Sequence, residues 1–109
     1  MANTFKLKTK ANVGVTTVGI YTAPAATTTV VIGITMANTS GSRVNVGVGI
    51  TRAGTTEDVK LLKNAPIPQG SSLEFMGGNK VVLETNDQIN VDSDTNNSVD
   101  AALTIMEIT

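Results

Sequence analysis

The run Val44-Asn45-Val46-Gly47-Val48-Gly49-Ile50-Thr51 decides how this chain is read. Val44, Val46, Val48 and Ile50 alternate without a break with Asn45, Gly47, Gly49 and Thr51, so a pleated strand would carry one aliphatic face and one small or polar face. A helix would scatter the same residues around its circumference. Just upstream, Thr29 to Ala37 repeats the pattern: Val30, Ile32, Ile34 and Met36 are expected on one face, Thr29, Val31, Gly33, Thr35 and Ala37 on the other. Asn38-Thr39-Ser40-Gly41-Ser42 between the two runs has turn composition, which predicts a hairpin.

Outward from this pair, shorter strands are expected over Thr4 to Lys8, Val15 to Tyr21, Asp58 to Lys63, Ser72 to Met76, Lys80 to Glu84 and Gln88 to Asp92, with a last one from Val99 to Ile108. Asn64-Ala65-Pro66-Ile67-Pro68-Gln69-Gly70 should stop the third of these, because two prolines do not both fit a central strand. Gly77-Gly78-Asn79 signals a second hairpin. Thr55 to Leu62 has room for one helical turn and no more. Val (13), Ile (8) and Thr (17) make up about a third of the 109 residues and suit half-buried strands. About eight strands at a spacing near ten residues predict an all-β, single-domain β-sandwich, jelly-roll or immunoglobulin-like.

The same composition argues against most chemistry. There is no Cys and no His, which removes disulfides, thiol nucleophiles, the commonest general base and the commonest metal ligand. No Ser-x-x-Lys occurs, and the carboxylates sit in separate turns, so neither a nucleophile nor an acid/base pair is assembled by spacing. Gly47-Val48-Gly49 opens like a dinucleotide fingerprint, but Arg52 stands where the third glycine belongs. Asp92, Asp94 and Asn96 have the alternation of a calcium loop, yet Asn97 replaces its glycine and Leu103 its bidentate acid. Asn38-Thr39-Ser40 and Asn96-Asn97-Ser98 match the glycosylation acceptor by chance in a chain rich in these residues. The expectation is a protein that is not an enzyme, with no catalytic residues, no cofactor and no metal.

Partners are narrowed as well. A net charge of −1 lacks the basic footprint of nucleic-acid or anionic-membrane binding. The longest apolar stretch, Val30 to Ala37, is too short to span a bilayer, and the first residues lack the apolar core of a secretory signal. Phe5, Tyr21 and Phe75 are the only aromatics, too few for the stacking platforms of sugar or single-strand sites. What remains is contact with other proteins. Residues 1–14 are expected to form an N-terminal arm or edge strand, and residues 15–109 the sandwich. In the arm, Phe5 and Leu7 alternate with Lys6, Lys8 and Lys10, either guarding an edge or reaching a neighbouring subunit. Gly47 and Gly49 suggest a face where another backbone approaches closely. Pro66, Ile67, Pro68 and Gln69 supply a turn between strands. These ten residues, Phe5 to Lys8, Gly47, Gly49 and Pro66 to Gln69, are the expected assembly contacts.

Several segments together resemble a known family. Met1-Ala2-Asn3-Thr4-Phe5-Lys6-Leu7-Lys8-Thr9-Lys10-Ala11, Tyr21-Thr22-Ala23-Pro24, Thr27 to Gly33, Leu61 to Ser72, Lys80 to Thr85, Asp87 to Val91 and Ala101 to Thr109 are similar to small virion structural proteins of tailed bacteriophages, especially T-even-like myoviruses of marine cyanobacteria. The likeness runs over nearly the whole chain, in motifs that are mostly strand and turn patterns. It implies a virion structural protein without enzymatic activity. With only 16% charged residues and a mean hydropathy of +0.11, the surface suits repeated contact. The expectation is a capsid decoration or cement protein on the virion surface. It would self-associate, as a homotrimer, and bind the major capsid protein or other virion subunits through many weak contacts. The alternative is a tail, neck or baseplate component such as a collar or fibre-attachment module.

Overall fold

Nine strands account for most of the chain in the computed structural model, which describes residues 3–54, 57–75 and 80–109. They are β1 (Asn3–Val13), β2 (Val18–Thr22), β3 (Thr28–Asn38), β4 (Val44–Thr51), β5 (Asp58–Ile67), β6 (Ser72–Phe75), β7 (Val81–Leu83), β8 (Gln88–Ser93) and β9 (Val99–Ile108). The first sheet has the order β1-β9-β3-β6, with β7 also paired to β3; the second has the order β2-β8-β4-β5. All pairings are antiparallel. β6 and β7 pair with consecutive stretches of β3, Ile34–Ala37 and Thr29–Val31, and so form two halves of one edge position. Four positions per sheet, with the chain passing between sheets after β1, β2, β3, β5, β7 and β8, is the jelly-roll arrangement of a β-sandwich rather than the immunoglobulin one.

The core forms where the inner faces meet. Val31, Ile34 and Met36 of β3 and Ala101, Leu103 and Ile105 of β9 face Val44, Val46, Val48 and Ile50 of β4 and Ile89 and Val91 of β8, all buried. Asp87 ties the turn before β8 to the end of β4. Its carboxylate accepts from the backbone N–H groups of Ala53 (3.1 Å) and Glu84 (3.0 Å) and lies 3.0 Å from Arg52 Nε. Burial pushes this carboxyl up, but the two N–H groups and the guanidinium outweigh it and hold it below its usual range.

Several sequence expectations are corrected here. β3 and β4 do not form a hairpin: they lie in different sheets. Asn38 makes the crossing, its Nδ2 donating to Ser42 O (2.8 Å) and Ile67 O (3.0 Å) while its Oδ1 accepts from Ser40 N (2.9 Å). Polar turn composition serves an arch between sheets as well as a hairpin. β6 and β7 do not form one either, since both run antiparallel to β3; Gly77, Gly78 and Asn79 lie outside the described residues. Along β3 the alternation slips at a bulge between Val31 and Gly33. Val31, not Val30 and Ile32, therefore shares the inner face with Ile34 and Met36, as one extra residue reverses every position beyond it. β5 runs past its expected end because Asn64 (φ 55°) sits at a bulge inside it rather than at a turn, and β1 continues beyond Lys8 to Val13 with Asn12 (φ 58°) at a bulge of its own. Asparagine tolerates this left-handed conformation. β5 is an edge strand, so Pro66 is accommodated within it. Asp58 to Leu62 belongs to β5 and forms no helical turn.

Candidate assembly surface

β1 is the edge of the first sheet and pairs with β9 from Asn3↔Ile108 to Lys10↔Ala101. Cross-strand partners point to the same side. Lys6 and Lys8, opposite the buried Ile105 and Leu103, therefore lie on the inner side, and Phe5 and Leu7 on the outer. The lysines reach along the open edge of the sandwich, keeping their heads near solvent. Lys6 Nζ lies 2.8 Å from Glu107 Oε1. Tyr21, from the second sheet, donates its hydroxyl to Glu107 Oε2 at 2.5 Å and lies 2.8 Å from Thr29 Oγ1. Lys8 Nζ lies 5.9 Å from the centroid of the Tyr21 ring, a cation–π distance.

This cluster links the two sheets through polar side chains, and its protonation follows from its neighbours. The Lys6 ammonium, and next the Tyr21 hydroxyl, hold the Glu107 carboxyl below its usual range against the cost of burial. Tyr21 is pushed up to about 12, first by burial and then by its bond to Glu107, where a phenolate would face a carboxylate. The cluster holds β1 in place; apart from Val13, β1 puts no fully buried side chain into the core.

The outer face of the first sheet is apolar in register. Phe5 pairs with Met106, Met106 with Val30 and Val30 with Val82, so one row crosses all four strand positions. Phe5 is 70% exposed, Leu7 65% and Val82 56%, the largest such values among the described large hydrophobics apart from Val15. Two rows further along, Thr9, Ala102 and Thr35 replace the large side chains, and with Ala11 and Ala37, and Lys10 and Asp100 beside them, they line a shallow depression of about 360 Å³. Met106, Val30 and Val82 were not among the expected contacts. No signal in the sequence groups them: the outer face of β9 mixes Ala102, Met106 and Ile108 with Asp100 and Thr104, and the row forms only through the register with β1, β3 and β7.

The other expected contacts lie apart from this face. Gly47 and Gly49 are buried on the outer side of β4, where the backbone that comes close is the chain's own. A Cβ on Gly47 would stand 2.6 Å from Asp92 Oδ1 and 3.2 Å from Leu62 O, and one on Gly49 3.0 Å from Asn90 Oδ1 and 3.1 Å from Val59 O. Pro66 is exposed on β5 opposite Asn45, whereas Ile67 is fully buried. Pro68 O accepts from Ser71 N (3.1 Å) across a turn with Gly70 at φ 71°, a type II geometry that presents Gln69 to solvent. This turn precedes Ser72, which pairs with Ala37, so it stands at the far end of the first sheet from Phe5, about 20 Å along the strands. The structure thus unites Phe5 and Leu7 with an apolar face and separates both glycines and the proline turn from it. In the Asp92–Asp100 loop the carboxylates go to separate partners: Asp92 to Thr17 Oγ1, Asp94 to Asn45 N, Asp100 to Asn12 N. Among the described residues no three acidic side chains cluster as metal ligands would.

No family model matches the sequence, and no curated protein matches it. Solved structures share the fold. A D431N mutant of the VP2 protein of infectious bursal disease virus superposes with a TM-score of 0.60 at 14% identity, over 96% of this chain and 31% of that one. A chain from Bacillus endospore appendages, described as disulfide-linked pili, gives 0.58 at 12% identity, over 99% and 87%. A chain of the capsid asymmetric unit of cyanophage Pam1 gives 0.53 at 13%, over 96% and 84%. This chain spans about a third of the bursal disease virus protein and most of the other two. At these identities the likeness is one of fold.

Proposed function

We propose that this chain is a non-enzymatic structural subunit of a virus particle, a decoration or cement protein on the head of a tailed phage that binds copies of itself and the shell beneath through many weak contacts. The observation that carries the reading is the outer face of the first sheet, where an uninterrupted apolar row crosses all four strand positions of a small domain. Support comes from the cyanophage capsid, where a chain scarcely longer than this one has the same fold. Phe5 and Leu7 of the arm and the exposed Pro66, Pro68 and Gln69 of the turn are the contacts proposed with neighbours, one group at each end of the sheet. The arm, residues 1–14, is suited to exchange between copies because β1 is held mainly by backbone pairing and the Lys6–Glu107 bridge.

A tail or neck component is the second reading, favoured by the likeness to a pilus subunit. Disulfide linkage of the kind in that pilus is closed to this chain, which has no cysteine. Quantitative mass spectrometry of purified virions tests both. Copies in proportion to the shell protein support decoration; copies in proportion to tail or baseplate proteins overturn it in favour of the second reading; absence from particles overturns both.

A further inference from the structure

The outer face of the first sheet carries both a projection and a hollow, placed symmetrically about its middle row. On one side of the Leu7–Thr104–Gly33 row stands the large row Phe5–Met106–Val30–Val82; on the other, Thr9–Ala102–Thr35 leaves the shallow depression. We infer that this face is a two-fold contact between copies of the chain, with each copy's large row seated in the other's small-residue hollow. A two-fold axis running across the strands at the middle row brings the two into opposition, and stacked sheets interdigitate in this way at about 10 Å.

Three further observations favour a second copy as the occupant. Among the described residues of these rows and the row through Asp100, with Lys10 also lining the hollow, the outward carboxylates are Glu74 and Asp100. Both are at the hollow end, so the two-fold sets no carboxylate against another. The large row has no charge to recognise a basic or acidic partner. Four strand positions about 4.8 Å apart over about ten residues give ~600 Å² per copy, or ~1,200 Å² in all, enough for a specific interface. Such a contact is isologous, so copies pair rather than close a three-membered ring.

The inference rests on the self-association in the proposed role, but its test uses purified full-length protein, so the two fail separately. Sedimentation over a concentration series should show a monomer–dimer equilibrium. Phe5→Glu, on the projection, and Ala102→Phe, in the hollow, should each raise the dissociation constant at least tenfold, while Val15→Glu, exposed elsewhere, should leave it unchanged. Thermal unfolding of each variant checks that it is folded. The absence of native cysteines allows a sharper measurement: Leu7→Cys, beside the axis, should cross-link to a dimer with a short bismaleimide, and Val15→Cys should not. A wild-type monomer at high concentration, a trimer, or a dimer indifferent to both face substitutions overturns the inference. Dimers that form through this face in a protein absent from virions would sink the particle role and leave the contact standing.

Discussion

Lys6 of the edge strand reaches along the open side of the sandwich to Glu107, setting its ammonium 2.8 Å from a carboxylate that is otherwise buried. Both residues lie in the first sheet, two strands that already pair, so the bridge adds a side-chain clamp to a backbone ladder. Through Glu107 the clamp continues to Tyr21 in the second sheet. The N-terminal strand, the C-terminal strand and the opposite sheet are thereby fastened at one point.

Lys6→Met should cost about 1–2 kcal/mol in urea unfolding at neutral pH. That is more than an exposed ion pair contributes and less than a fully buried one, since Lys6 is partly solvated while Glu107 would be left buried without its cation. Glu107→Gln, which keeps a hydrogen-bonding group for Tyr21, should cost less than Glu107→Leu. Equal losses for the two would show that the link to Tyr21 contributes nothing.

Acid should weaken the fold through Glu107 and Asp87. Both carboxyls are held below their ordinary range in the folded chain. The unfolded state therefore takes up protons first, and their contribution is complete above the unfolded carboxyl pKa of about 4–4.5 and lost as pH falls through the lowered folded values. Lys6→Met should flatten this acid limb, because Lys6 is the largest cause of the Glu107 shift. An unchanged slope below that pH would contradict the assignment.

At the alkaline end the sign reverses. Tyr21 is pushed up to about 12, so its neutral form is favoured by folding. Its contribution is complete below the ordinary tyrosine pKa of about 10 and lost as pH rises from there through about 12. Tyr21 is the single tyrosine, so phenolate absorbance reports it alone. Titration should show a midpoint near 12 in the folded chain and near the ordinary value in denaturant; coincident midpoints would refute the buried bond to Glu107.

Gly47→Ala should destabilise by about 1–2 kcal/mol, because the new methyl displaces Asp92 from Thr17 and Lys60 and presses on Leu62 O. Gly41→Ala meets nothing within 4 Å and should be neutral or slightly stabilising. Paired melting curves check the contrast. If Gly47→Ala were harmless, the close approach of β5 and β8 to this strand would be wrong.

Deleting residues 1–10 should lower the unfolding midpoint, leave one cooperative transition, and abolish incorporation into particles. β9 then has an unpaired edge, while every other strand keeps its partners. A peptide of residues 1–13 added in trans should restore the midpoint. Normal incorporation of the truncated chain would show that the arm is only a sheet edge.

Much of the fold is legible in the residues. β4, β9 and the extent of β3 follow from β-branched and aliphatic residues recurring at every second position, and the alternation of Val44 to Ile50 assigns the inner face of β4 correctly. The errors cluster where one residue has two local uses. Asn64 looks like a turn residue yet makes a bulge, and the polar run after Asn38 looks like a hairpin turn yet spans two sheets. Of the candidate contacts, Phe5 and Leu7 are legible as exposed apolar residues. Their companions Met106, Val30 and Val82 are not, because the row exists only once four strands are in register.

The sequence alone determines that this chain is a two-layer β protein, because side-chain alternation and β-branching act within a single strand and need no knowledge of its neighbours. It also determines that thiol and imidazole chemistry are out of reach, since the residues are missing. Tertiary structure alone decides which strand lies beside which, where the bulge in β3 reverses the facing, and that Lys6, Tyr21 and Glu107 meet. Those outcomes depend on pairings between segments as much as a hundred residues apart, chosen by which closure buries both sheets' aliphatic faces at once. No local pattern encodes that choice.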